Sequence, residues 1–80
     1  MPAEFQEYRT SDLYFAAYLR VADVPMLRTE REPYGKRIHF VFDAVTGLED
    51  LKAQYFSRSA KVVALSYADE IRNLKAMLYT

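Results

Sequence analysis

Cysteine is absent from the 80 residues, and with it go disulfides, thiolate metal sites and cysteine nucleophiles. His39 is the sole histidine, so a zinc centre, which needs several nitrogen or sulfur ligands, finds one imidazole. The serines have no nucleophile-elbow glycines around them, and the two glycines, Gly35 and Gly47, lie too far apart to form a phosphate-cradling loop. Eleven basic residues balance eleven acidic ones, which removes a global pull toward nucleic acid or anionic lipid. No apolar run approaches the roughly 20 residues of a membrane span. The opening Met-Pro-Ala-Glu-Phe-Gln-Glu has neither the basic residues nor the apolar stretch of a signal peptide, so a cytoplasmic location is expected.

What is present is apolar and aromatic. Hydrophobic residues make up 51% of the chain, with seven Tyr and five Phe among them. Each ring buries roughly 150–250 Å², which suits a single domain near the lower size limit for unaided folding. No repeat, low-complexity tract or Gly/Ser linker divides the chain.

Alternation over Glu4–Thr10 predicts a first, edge-like strand. Ser11 or Thr10 then caps a helix with Asp12 in its first turn, running to about Ala22 or Asp23 and stopped by Val24-Pro25. Its apolar residues cover more than half of the circumference, so this helix needs cover on several sides. Met26–Glu32 and Arg37–Asp43 form a hairpin around Pro33-Tyr34-Gly35-Lys36. A four-residue loop sets Leu27 and Thr29 opposite Phe42 and Phe40, and Glu32 and Glu30 opposite Arg37 and His39; a three-residue loop would mix core and charge.

Thr46-Gly47-Leu48-Glu49 reads as a capping box for a second helix to about Phe56. Residues 61–65 are a short β-branched run, either a fourth strand or an extended connector, and Ser66 with Asp69 opens a last helix to the C-terminus. The order is β-α-β-β-α-(β)-α, an α+β fold of three helices on a small, mostly antiparallel sheet of three or four strands. With the first helix returning the chain, the third strand lies between the other two, in order 1-3-2. The expected core comprises Leu13 or Phe15, Ala17, Leu19, Ile38, Phe40, Phe42, Leu48, Leu51, Ile71, Leu74 and Leu78.

Tyr8-Arg9-Thr10-Ser11-Asp12-Leu13 with Ala16-Ala17-Tyr18-Leu19, then Phe40-Val41-Phe42, then Arg72-Asn73-Leu74-Lys75 resembles the pattern of a domain-of-unknown-function family of short bacterial and phage proteins. The resemblance implies a compact α+β fold of the order above. It brings no assigned chemistry, and therefore no catalytic residue.

The remaining candidates have structural roles of their own. Asp12 and Asp50 fall in first helical turns, where a carboxylate meets the positive end of the helix dipole, and Asp43 leaves a strand. His39 faces Glu30 across the hairpin, and a general base without nucleophile or oxyanion donor is an incomplete site. No enzyme, metal or cofactor is expected. The leading expectation is an interaction module, a homo-oligomer or an accessory to another protein, with Tyr14, Tyr18 and Val21 of the first helix and the sheet edge as contact surface. The alternative is a nucleic-acid-binding regulator using Arg28, Arg31, Lys36 and Arg37 of the hairpin with Arg58 and Lys61.

Overall fold

The computed structural model describes residues 6–35 and 37–78. Its elements are β1 (Glu7–Thr10), α1 (Leu13–Val21), β2 (Met26–Arg31), β3 (Ile38–Asp43), α2 (Leu48–Phe56) and α3 (Ala64–Leu78). The sheet has the order β1-β3-β2, antiparallel throughout, as the alternation and the crossover predicted. Glu4 and Phe5 of the expected first strand lie outside the described residues. Among the described residues there is no fourth strand: 61–63 are an irregular connector, and α3 begins at Ala64, two residues before Ser66.

Asp12, rather than Thr10 or Ser11, caps α1. Its carboxylate accepts the backbone N–H groups of Tyr14 and Phe15 at 3.0 and 3.1 Å, while the Thr10 hydroxyl accepts the Asp12 N–H one step upstream at 3.1 Å. The helix ends where Asp23 turns left-handed at φ 65° and the Val24 N–H bonds the Leu19 carbonyl, with Pro25 next. At α2 the expected capping box does not form. Gly47, left-handed at φ 93°, occupies the cap position and makes no side-chain cap bond, because the turn out of Val45 asks for the backbone freedom of glycine more than for the Thr46 hydroxyl.

The hairpin register holds at its tip, with Thr29 opposite Phe40, Glu30 opposite His39, and the Glu32 N–H on the Arg37 carbonyl at 3.2 Å. It shifts further down. A bulge between Met26 and Arg28 places Met26 opposite Phe42 and turns Leu27 out of the ladder, so Leu27 is exposed and not a core residue.

All three helices cover one face of the sheet. Phe15, Ala16, Ala17, Leu19 and Leu74 meet Phe40 and Phe42 in a core closed by Val24 and Leu48. Leu13, Leu51, Ile71 and Leu78 pack partly buried around it, while Ile38 is half-buried near the hairpin tip. Aromatic rings join α2 to α1: Phe15 lies 4.9 Å from Tyr55 and 5.2 Å from Phe56, with Tyr8 edge-on at 6.0 Å. Helix α3 is tied to α1 by the Tyr67 hydroxyl, which donates to the Tyr14 carbonyl at 3.0 Å, and by an Arg20–Glu70 ion pair at 3.0 Å.

The opposite face is covered by charge. Val41 is fully buried there, although no helix reaches it. Arg28 grips both Glu7 oxygens at 2.8 and 2.9 Å and donates its Nε to Glu30 at 2.7 Å, while Arg9 bonds Glu30 and lies 3.9 Å from Glu7. The four side chains span from β1 to β2 across the central strand, and Val41 lies opposite both Arg9 and Arg28.

Candidate functional site

The residues connecting α2 and α3 present the most apolar part of the surface. After α2 the chain turns sharply at Ser57–Ala60, and the Gln54 carbonyl holds the turn. It accepts the Ser59 and Ala60 N–H groups at 2.9 and 3.1 Å and the Ser57 and Ser59 hydroxyls at 3.3 Å each. Arg58 is left-handed at φ 64°, a conformation that costs a non-glycine residue about 1–2 kcal/mol. The bonds to Gln54 over-determine it. The turn thus fixes where residues 61–65 emerge, and they emerge uncovered: Val62, Val63 and Leu65 are 38%, 68% and 70% exposed, and Phe56 before the turn is 62% exposed.

Beside them opens a groove of about 190 Å³ lined by Tyr18, Tyr55, Ala60, Val62 and Tyr67, with Arg58 at its edge. Tyr18 and Tyr55 stand 5.4 Å apart as part of its wall. Burial pushes the Tyr55 phenol up to about 12, with the neighbouring Tyr67 and the negative charge of Asp12 acting the same way. The Tyr55 phenol is therefore neutral at physiological pH, and Arg58 adds a cation to the groove's lining. Residues 52–61 carry Lys52, Arg58 and Lys61 and no acid.

The contact residues expected from the sequence are redistributed. Tyr18 is buried at 4% exposure and belongs to the core, Val21 is half-buried, and Tyr14 is 50% exposed. The sheet, α2 and α3 together cover most of α1, with Tyr14 left half-exposed, so most of the uncovered apolar side chains lie at the α2–α3 junction. Sequence reasoning passed over Phe56, Val62, Val63 and Leu65; the available signal was the β-branched run, which had no partner strand in the 1-3-2 order.

The described members of the basic set do not form one surface. Arg28 is committed to Glu7 and Glu30 on the open sheet face. Arg31 and Arg37 line a cleft with Leu78 at the C-terminal end of α3, whereas Arg58 and Lys61 precede its N-terminal end. A helix of 15 residues separates those two ends by roughly 22 Å. Lys36 lies outside the described residues. His39 keeps its backbone position opposite Glu30, but its Nε2 sits 2.8 Å from Glu32, because Arg9 and Arg28 already hold the Glu30 carboxylate. Among the described residues no three or more His, Cys, Asp or Glu side chains gather as metal ligands, and no helix is long and apolar enough to cross a membrane.

One family model matches the chain over residues 5–80, that of a domain of unknown function, DUF5659. The chain belongs to the DUF5659 family. No curated protein and no solved structure matches it. The resemblance read from the sequence motifs agrees with this match in pointing to a family of unknown function.

Proposed function

We propose that this DUF5659 chain is a non-enzymatic interaction module that works as a homo-oligomer, two copies meeting through the α2–α3 junction. The observation that carries the reading is the set of uncovered apolar side chains Phe56, Val62, Val63 and Leu65 flanking a turn locked to the Gln54 carbonyl. A turn so fixed loses little conformational freedom on association, and contiguous exposed apolar surface marks a partner site. A two-fold contact uses the same patch on both copies, so one junction is sufficient. The aromatic groove beside Val62 can receive the valine and leucine side chains of the second copy.

Sedimentation over a concentration series tests this. The wild-type chain associates, and association persists in high salt because apolar burial is not screened. Val63→Glu and Leu65→Glu give monomers with the fold intact, since both positions are exposed and surface changes cost within about 0.5 kcal/mol. A wild-type chain that remains monomeric at high concentration overturns the reading. An accessory role to a different protein would then be the reading to pursue.

A further inference from the structure

We infer that the cleft at the hairpin end of the helical layer binds an amphiphilic organic anion, a carboxylate or phosphate monoester carried on a short apolar body. The cleft has a volume of about 360 Å³, within the range of small-molecule pockets. Its floor is apolar: Leu13 opens α1, Ile38 and Phe40 come from β3, and Leu78 closes α3. Arg31 and Arg37 line it together with Ser11.

Arg31 stands out by its position. Arg31 lies opposite Ile38, and by alternation it shares the helix-side face of the sheet with Thr29 and Met26. Its side chain stands exposed at the end of the edge strand β2, beside the apolar floor of the cleft. Neither the Arg31 nor the Arg37 side chain has a hydrogen-bond or ion-pair partner among the described residues, whereas those of Arg9, Arg20, Arg28 and Arg72 are all ion-paired. The hairpin's own acids are engaged elsewhere, Glu30 with Arg9 and Arg28 and Glu32 with His39. Two guanidiniums with no side-chain partner among the described residues, beside an apolar floor, match a ligand with an anionic head and an apolar body, and guanidinium geometry suits carboxylate and phosphate oxygens alike. The Ser11 hydroxyl adds a neutral donor.

An NMR titration of the full chain tests the proposal, with octanoate and phenyl phosphate as ligands and octanol and inorganic phosphate as controls lacking one half of the chemistry. Saturable shifts are expected at Leu13, Ile38 and Leu78 with at least one of the two amphiphilic anions, and the head group that binds more tightly identifies the anion. Each control binds at least about tenfold more weakly, a difference of 1.4 kcal/mol. Arg31→Gln with Arg37→Gln weakens the anion by about tenfold or more while leaving the amide spectrum folded, and Arg31→Lys retains part of the affinity. Equal binding of octanol and octanoate, unchanged affinity in the double variant, or no binding of either anion overturns the inference. So does a short single-stranded oligonucleotide that displaces the anion at lower concentration, which would assign the arginines to a nucleic-acid backbone. The cleft involves none of Phe56, Val62, Val63 or Leu65, so its failure is distinguishable from failure of self-association.

Discussion

At the scale of single residues, the fold depends on a few side chains that do more than fill space. Phe40 is 1% exposed in the middle of the central strand, where it meets β1 and β2 on either side and the helices above. Phe40→Ala should cost about 3–5 kcal/mol, a large part of the stability of so small a domain. Denaturant unfolding measures this, and a loss below about 1 kcal/mol would place Phe40 outside the core. Asp12 shows how far residue-level chemistry is legible in the sequence. A carboxylate ahead of an apolar helix had to serve its N-terminus, and only the choice between first-turn charge and cap was left to the geometry. Gly47 shows the limit: the Thr46…Glu49 pattern was complete, and the left-handed turn before it decided the outcome.

At the scale of elements, the sheet is stabilised by different physics on its two faces. The helix side is apolar, and the open side is a lattice of Glu7, Arg9, Arg28 and Glu30 over Val41. Arg28 holds the carboxyls of Glu7 and Glu30 below their usual value of 4.5, chiefly by direct hydrogen bonds. A carboxyl whose folded value is depressed contributes stability that is present above the unfolded value and is lost as pH falls through the folded one. The melting temperature should therefore decline as pH drops below about 4.5, and the Glu7→Gln/Glu30→Gln variant should show a shallower decline. Thermal melts in parallel at neutral and acidic pH decide it, with identical pH profiles counting against the lattice. The hairpin itself was legible because Pro33 and Gly35 punctuate the turn and Phe40 and Phe42 alternate with His39 and Val41. The bulge at Leu27 was not, because an extra residue in an edge strand leaves no mark in composition. The run at 61–65 misled for a related reason: β-branched residues signal strands only where a neighbouring strand awaits them, and here the chain enters a helix at Ala64.

For the whole molecule, the distribution of charge matters more than its sum. Arg31 and Arg37 gather at one end of α3, Arg58 and Lys61 stand before the other, and Arg28 is neutralised in place. Among the described residues these basic side chains form no continuous track that could follow a phosphate backbone. Duplex DNA should bind no more tightly than the roughly 10⁻⁴–10⁻⁶ M of non-specific contact at physiological salt. Fluorescence anisotropy over a salt series measures this, and a Kd well below that range would restore the nucleic-acid reading. Neutral composition leads to the same expectation, but the separation did not show in the sequence, where Arg28, Arg31, Lys36 and Arg37 appear as one basic ribbon. The same holds for the apolar surface. The near-circumferential apolar character of α1 was visible, whereas its cover by three packed elements, which moves the exposed patch to the α2–α3 junction, is a property of tertiary structure alone.

The Leu27 bulge has an effect beyond register. The rims of a small sheet are templates on which foreign strands can grow, and here neither rim offers a long, regular run of free backbone groups. Among the described residues one is four residues long and the other is broken at Leu27. Open-ended stacking into fibrils is discouraged on both sides, so a molecule rich in aromatic and β-branched side chains can leave apolar surface uncovered without polymerising through its backbone.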